Sequence, residues 1–417
     1  MKQTAAYLAI AILLLTTFSA AQPSGSPYTR LGIGDLNYFS TGSSMGMGGA
    51  GTALSTSNNI DLSNPAAWSY INLTRFSLSA NYRGITASDA STSTNYGNFN
   101  FNGAMAAIPL STGNGIVVAF GLTPYSSVGY TIEQPDSQSG YGYSVTYHGE
   151  GGISQAQMGT SINMGTDLHF GIKYNYFFGT IQHDVTQTFS SSIYSNSTTE
   201  RLVQLKGSGF SVGGIYTGLT NLFHLQSSRL SVGAEFTSNA YLNVSQDNYV
   251  TSSNGGHSTY DTASLNGNKL KLPYTITVGA AYISERILVA SDFSTQNWND
   301  PAIIGVLQPV VRNTYRWNFG GEFTPKREPL SPFFQKITYR LGTYYNASYY
   351  IVNGQPINEI GFTGGLIFPI FGDTRLNLGA AYGMRGTTDY GLLKEKIFRL
   401  TFTLSGSELW FQRPPED

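Results

Sequence analysis

Between residues 75 and 404 apolar and polar positions alternate with a period of two, in runs interrupted by polar or glycine-rich breaks. In 167–179, Leu168, Phe170, Ile172, Tyr174, Tyr176 and Phe178 fall on one face, and His169, Gly171, Lys173 and Asn175 on the other. The stretch 314–323 repeats this with Tyr315, Trp317, Phe319 and Phe323 opposite Arg316, Asn318, Gly320 and Glu322. In 375–384 the apolar face carries Leu376, Leu378, Ala380, Tyr382 and Met384. Successive side chains of a strand point to opposite sides, so these segments are strands with one apolar and one polar face. Runs of about ten such residues are the signature of a membrane β-barrel, apolar toward lipid and polar toward the lumen. One template applied throughout predicts strands over 75–84, 98–110, 115–127, 142–162, 167–190, 199–217, 228–246, 272–283, 286–297, 312–323, 335–351, 357–369, 374–385 and 394–404. The count is about fourteen, and an even number puts both chain ends on one side of the membrane.

The connections alternate as well. Those at 111–115, 163–166, 284–285 and 371–373 are tight turns, whereas 128–141, 247–271 and 298–311 are long and polar. Short periplasmic turns and longer outer loops are the expected asymmetry. Two connections on the short side, 218–227 and 324–334, are longer than that rule explains.

Ahead of the first strand, residues 1–21 carry Lys2, an apolar core over 5–15 and the small residues Ser19, Ala20 and Ala21 before Gln22. This is the pattern of an export signal. Its core is short for a bilayer, and no later segment supplies the ~18 apolar residues a membrane-crossing helix requires, so crossing falls to strands. Residues 45–68 are glycine-dense and form neither a strand nor a long helix. Within them Asn64 is placed as an N-cap, Pro65 occupies the first helical position, and Trp68 is the first large anchor. A ring of about fourteen strands encloses a lumen that something must fill or gate, so this stretch reads as a plug. Its glycines Gly46, Gly48, Gly49 and Gly51 let backbone run close to the wall.

Gly46-Met-Gly-Gly-Ala-Gly51, a polar spacer and then Asn64-Pro65-Ala66 together resemble the hatch of the long-chain fatty-acid transporter (FadL) family of outer-membrane proteins. The lead-in Ser26-Pro-Tyr-Thr-Arg-Leu-Gly-Ile-Gly-Asp35 resembles the start of the mature chain in Bacteroidota members of that family. The resemblance implies fourteen strands, a hatch inside the lumen, passage of hydrophobic compounds, and a kink in the third strand that opens the wall sideways. The third predicted strand, interrupted by Gly121 and Pro124, is similar to that kink. On the residues alone, the alternative is that Pro124 lies above the membrane band, where strand pairing has ended.

Composition narrows the classes further. Charged residues make up 11%, against roughly 25% in soluble domains, while hydrophobic content is 41% and mean hydropathy is −0.13, which excludes a helical membrane bundle. With 48 Gly, 28 Tyr and 24 Phe, the profile fits an apolar band bordered by aromatic girdles. Formal net charge is −1, and loss of Lys2 with the leader leaves 22 Lys+Arg against 24 Asp+Glu. No basic surplus points to nucleic acid. Cysteine is absent, which excludes disulfides, thiolate metal sites and a lipidated N-terminal Cys. His148, His169, His183, His224 and His257 contain no i,i+4 pair, so neither a metal nor a cofactor is expected.

Two motifs spell catalysis without its context. Gly46-x-Gly48-x-x-Gly51 matches a dinucleotide fingerprint but lacks the preceding strand and crossover unit. Gly42-x-Ser44-x-Gly46 matches a nucleophile elbow but has no strand-to-helix turn, His or acid in support. No catalytic residue is expected, and a hydrolase acting through Ser44 is the outlying class. The predicted inward faces are small, with Gly171, Gly233, Gly279, Gly342, Gly361, Gly365, Gly379 and Gly383. Among them sit Arg83, Lys173, Glu235, Asp292, Arg316, Glu322, Arg340 and Arg399. Buried charges need partners, so the first expectation is that these pair with one another or with plug backbone. The functional alternative is that Arg316, Arg340 or Arg399 meets the acidic head of an amphiphile.

The sequence therefore predicts an all-β protein, a transmembrane antiparallel β-barrel of about fourteen strands with an N-terminal plug in the lumen. Its divisions are a signal peptide (1–21), the plug or hatch (22–72), the barrel (73–405) and a C-terminal periplasmic tail (406–417). The expected setting is the bacterial outer membrane, with lipid and a hydrophobic or amphiphilic small molecule as partners. The expected function is passive, fatty-acid-like uptake, with Gly121 and Pro124 at a candidate lateral opening. The competing class is a FadL-like barrel that serves as a subunit of a larger outer-membrane assembly or protein-secretion complex, holding other outer-membrane proteins through loops such as 249–269.

Overall fold

The computed structural model describes residues 25–60, 62–136, 142–191, 193–223, 227–253, 257–260, 269–298, 311–326, 328 and 331–408; the expected signal peptide and the tail from 409 onward lie outside them. Fourteen antiparallel strands close into one ring. They are β1 (Thr74–Ser88), β2 (Ser93–Ser111), β3 in two pieces (Ile116–Pro124 and Ser126–Asp136), β4 (Tyr143–Met164), β5 (Leu168–Phe189) and β6 (Ser197–Tyr216). Then come β7 (Ser228–Thr237 and Ala240–Ser252), β8 (Lys269–Leu272 and Thr275–Ser284), β9 (Ile287–Gln296) and β10 (Thr314–Phe323). The last four are β11 (Thr338–Val352), β12 (Gln355–Phe371), β13 (Thr374–Arg385) and β14 (Lys394–Glu408). The seam is a full ladder between β14 and β1, from Lys394↔Ser88 to Glu408↔Thr74. Closure removes the free edges that an open sheet would present to lipid.

The alternation read from the sequence decides which face each side chain takes. Phe170, Ile172, Tyr174, Tyr176, Phe210, Val212, Trp317, Phe319, Phe362 and Phe398 are exposed on the outer face, while Lys173, Asn175, Asp292, Arg316 and Arg340 are buried inside.

Several strands run beyond the length a bilayer requires, and β1, β2, β3 and β14 also run beyond their predicted ends. The strands β4, β5 and β6 contain 22, 22 and 20 residues, about twice the ~9–11 a bilayer requires. In these extensions the inward face changes from polar to apolar. On β5 the inward series His169, Lys173, Asn175 gives way to Phe177 and Ile181. Those two join Val203, Leu205, Leu242, Leu270, Trp298, Tyr349, Tyr350 and Ile357 in a core that fills the upper lumen. Much of what the sequence suggested as long polar loops at 128–141 and 247–271 is strand, within Ser126–Asp136, Ala240–Ser252, His257–Tyr260 and Lys269–Leu272. The polar outer face of these extensions masked the apolar alternation of the inner one. One outer connection is a two-residue Asn353-Gly354 turn with φ of 50° and 76°, the tight left-handed geometry that suits a hairpin. On the opposite side, the two longer connections carry short helices, Leu219–Leu222 and Phe333–Lys336.

Residues 25–60 and 62–73 run inside the ring, packed on inward-facing glycines of its wall. They contain 3-10 turns at Pro27–Arg30 and Pro65–Tyr70, a two-residue strand Asp35–Leu36, and a helix α1 over Gly42–Gly46. Local chemistry sets these elements: the Thr41 hydroxyl accepts from the Ser44 N–H at 3.0 Å, and Asn64 Oδ1 accepts from the Ala66 N–H at 3.0 Å, ahead of Pro65. Trp68 is 1% exposed, packed with Ile60, Leu62, Met105, Val117 and Ala119.

Candidate functional site

The N-terminal segment is held by close backbone approach and by a small number of charges. A side chain on Gly46 would begin 3.0 Å from Gly365 Cα and 3.1 Å from Arg340 Cβ, so α1 lies directly on β11 and β12. A methyl group on Gly171 or Gly213 would overlap Pro65 or Asn64. Gly48 and Gly49 follow with φ of +66° and +91°, which turns the backbone toward β9. There Asp292 accepts from the N–H groups of Gly51 and Thr52 at 2.7 and 2.9 Å and from the Thr52 hydroxyl at 2.9 Å. Asn64 Nδ2 donates to Thr52 O at 2.7 Å, fixing the two halves of the segment together.

The charges form pairs across the lumen. Asp35 meets Arg83 of β1 and Arg385 of β13, the latter at 2.7 Å, and accepts from the Tyr350 hydroxyl at 3.2 Å. Burial alone would raise the Asp35 carboxyl, but Arg385 and Arg83 hold it well below the usual carboxylate range. Arg385 also binds Glu395 at 2.6 Å, and Ser26 donates to Glu395 at 2.6 Å. Lys173 pairs with Glu235 at 2.8 Å, Arg340 with Glu322 at 2.5 Å, Arg399 with Glu359 at 2.7 Å and Arg75 with Asp373 at 2.6 Å.

Arg316 differs. It is 4% exposed, and its guanidinium carbon lies 4.1, 5.0 and 4.8 Å from the ring centroids of Tyr38, Phe39 and Tyr344. It donates to Gly48 O over a long 3.4 Å and, among the described residues, has no carboxylate in salt-bridge range. Of the three arginines singled out from sequence, Arg340 and Arg399 are thus engaged by carboxylates. Asp35, Glu359, Arg385 and Glu395 were not singled out; Asp35 stood within the lead-in motif, but a partner 350 positions away leaves no local signal.

The wall is interrupted at one place. Strands β2 and β3 pair only between Ala104↔Leu122 and Ser111↔Ile116. Above Leu122, β3 continues on β4 from Val128↔Gly151 to Asp136↔Tyr143, while residues 93–103 of β2 continue on β1. Among the described residues no ladder joins those two stretches. The interruption begins where Asn102 bulges out of the β1–β2 ladder and two residues before Pro124, which has no N–H to donate. Gly121 lies just below it, packed on its inward side by Leu62.

The N-terminal segment occupies the freed edge. Asp35 and Leu36 pair with Ser127 and Ser126, and the Thr29 hydroxyl accepts from the Gly129 N–H at 3.1 Å. Asn37 spans the interruption: its N–H donates to Tyr125 O at 2.9 Å, and its side-chain amide donates to Pro124 O at 3.3 Å and to Asn102 Oδ1 at 3.4 Å. Asn102 in turn donates to Phe39 O and Ser40 O at 2.8 and 3.0 Å.

A cavity of about 690 Å³ reaches from this interruption to Arg316, lined by Asn98, Asn100, Arg83, Asp35 and Glu359 and roofed by Tyr349 and Tyr350. A second, of about 250 Å³, lies beyond Tyr38 and shares Arg316. Outside the wall, below the interruption, an apolar cleft of about 840 Å³ runs between Phe76, Leu78, Phe120, Leu122, Met158 and Tyr176, floored by Ala104, Ala106 and Ala156. Leu122 borders both the inner cavity and the outer cleft. Neither catalytic motif acquires its context. Gly46, Gly48 and Gly51 are part of a lumen-packed segment, and Ser44 sits in a single helical turn with no histidine bonded to it among the described residues.

Solved structures share this architecture at low sequence identity. The Ralstonia pickettii toluene transporter TbuX superposes with a TM-score of 0.59 at 12% identity, covering 91% of this chain and 99% of that one. The Pseudomonas putida toluene transporter TodX gives 0.57 at 17% identity over 90% and 99%. A Pseudomonas aeruginosa FadL homologue gives 0.57 at 11% over 89% and 98%. These likenesses make the fold that of a FadL-type outer-membrane barrel. Curated protein sequences yielded no match. A model of the BamG family matches residues 1–415, so the chain belongs to the BamG family.

Proposed function

We propose that the protein is an outer-membrane channel for passive passage of hydrophobic or amphiphilic small molecules, with residues 25–73 as its plug and a lateral opening between β2 and β3 near Gly121 and Pro124. The observation that carries this reading is the interrupted ladder above Leu122, where a lumen cavity meets an apolar cleft on the lipid side. A backbone edge left unpaired at membrane depth is costly unless it lines a cavity or finds a substitute partner, and here it has both. The lumen is rich in Asn, Arg and carboxylates, which suits an amphiphile better than a bare hydrocarbon, because an apolar ligand would leave those groups without solvent. No bond-making chemistry is needed. The test is accumulation of a labelled medium-chain fatty acid in cells with and without the protein. Reduced accumulation in its absence is expected, and equal accumulation refutes the reading.

The second reading, a subunit of a larger outer-membrane assembly, is favoured by apolar side chains on the two helical connections of the plug side. Leu222 and Phe223 are 69% and 59% exposed, and Phe334 is 74% exposed. Extraction in mild detergent followed by sizing separates the two: a lone particle supports the channel, and a large complex lost on Phe334→Ser supports the assembly.

A further inference from the structure

We propose that the outer wall carries a site for the phosphorylated head of a membrane lipid, formed by Lys206 of β6 and by Lys269 and Lys271 of β8, on the side where the strands outgrow the bilayer. The site lies on the lipid face and does not depend on what passes through the lumen.

Strand register brings the three lysines together. Lys206 pairs with Phe178 of β5 and with Asn243 of β7, and Asn243 pairs with Lys269, so these four side chains form one row on the outer face. The row beneath it, in the same ladders, is Tyr176, Ser208, Tyr241 and Lys271. Leu270 and Leu272 are buried in the upper core, which fixes Lys269 and Lys271 outward. Directly opposed side chains on one face stand about 5 Å apart and residues two apart on a strand about 7 Å, so flexible four-carbon stems let all three ammonium groups converge on one anion. Three of the chain's nine lysines thus share one patch.

The height of the patch says which anion. Below it the outer wall is apolar and aromatic, with Tyr174, Tyr176, Phe178, Phe210, Val212 and Tyr241 all exposed. Above it the same face turns to Thr180, Gln182, Gln204 and Ser245. Tyrosine and phenylalanine girdles mark the level at which hydrocarbon gives way to head groups, and the lysines stand on that level. Carboxylates are kept off it: Glu150 and Asp247 lie two rows above Lys206, and Asp184 and Glu200 three. Among the described residues neither Lys206 nor Lys269 has a carboxylate in salt-bridge range. Like charges on neighbouring strands repel one another, and a phosphate set among the lysines relieves that repulsion. In the lower row, Ser208 is the side chain between the exposed rings of Tyr176 and Tyr241, whose strands are about 10 Å apart. This notch beneath the lysines seats the first carbons of an acyl chain, which a free phosphate would leave empty.

The test is native mass spectrometry of the purified protein released from detergent, after titration with lipid A bearing two phosphates and with the same glycolipid stripped of both. The phosphorylated form should bind at least ~10-fold more tightly. Lys206→Gln/Lys269→Gln/Lys271→Gln should bring the two forms within about twofold of each other, whereas Arg at the same three positions keeps the charge and should keep the preference. Lys326→Gln/Lys394→Gln/Lys396→Gln removes the same charge elsewhere on the chain and should leave the preference intact. The three wall lysines lie outside the core, so the first variant should also retain the thermal midpoint of the unaltered protein, which separates lost binding from lost fold. Equal binding of the two glycolipids, an unchanged preference in the first variant, or an equal loss in the control variant overturns the site. Displacement of lipid A by excess inorganic phosphate would make it a site for the free anion and overturns the lipid as its occupant.

Discussion

Replacing Asp35 by Asn should loosen the N-terminal segment without opening the barrel. The carboxylate ties together β1 through Arg83, β13 through Arg385 and β11 through Tyr350, while its own backbone pairs with Ser127. Arg385 keeps Glu395, so the group stranded by the substitution is Arg83. Breaking a buried pair on one side costs roughly 3–5 kcal/mol; Arg83 borders the cavity and its side chain is 16% exposed, which favours the lower end, about 3 kcal/mol. That is roughly a hundredfold increase in the population with the segment undocked. The ladders of β11 to β14 do not pass through Asp35, so the loss is local. Hydrogen–deuterium exchange in nanodiscs should then show the amides of 33–37 exchanging about a hundredfold faster, with those of β12 and β13 unchanged. Unaltered protection at 33–37, or a uniform rise around the ring, would refute the reasoning. The pH arm has a definite sign. Because the folded carboxyl lies below its unfolded value, its contribution is complete above the ordinary carboxylate range and is lost progressively as pH falls from there to the lower, folded value. Protection at 33–37 should therefore decline gradually below the ordinary carboxylate range and vanish only near the folded value.

Gly171→Ala should displace the Asn64–Pro65 turn at a cost of about 1–3 kcal/mol, seen as protease cleavage within 50–70, whereas Gly364→Ala, with nearest neighbours at 3.9 Å, should be silent. Trp298→Ala removes the centre of the upper core and should cost about 3–5 kcal/mol, lowering the thermal midpoint and admitting water-soluble quenchers to the lumen. Asp89, in the β1–β2 connection, accepts from the N–H groups of Ser91 and Thr92 at 2.7 and 2.6 Å, which lowers its carboxyl to about 2. Its NMR titration should accordingly fall near that value, and the local turn should persist at pH 4.

The ring itself was legible from the two-residue rhythm, because lipid imposes that rhythm on every strand between Leu78 and Leu404. The upper core was not. In 269–272 the inward Leu270 and Leu272 alternate with Lys269 and Lys271, so a face pattern inverted relative to the membrane band reads as a polar loop when lipid contact is the template. The Arg316 surroundings were half legible: its inward position follows from strand parity, but its lack of a carboxylate depends on where Glu322 and Glu359 reach, and both are taken by Arg340 and Arg399. Asn37 could not have been singled out at all, since its role exists only where β2 and β3 part.

The ladder between β14 and β1 has a consequence for biogenesis. Residues 25–36 lie within a hoop whose last stave is the final strand in chain order among the described residues, and Ser26 reaches Glu395 across 369 positions of sequence. A segment lodged in that way must either be in position when the hoop is fastened or be threaded in afterwards past the Trp298 core or the opposite rim. Contacts of such sequence separation form late and slowly, so whatever inserts this protein has to keep the fastening strands apart until residues 25–36 have settled.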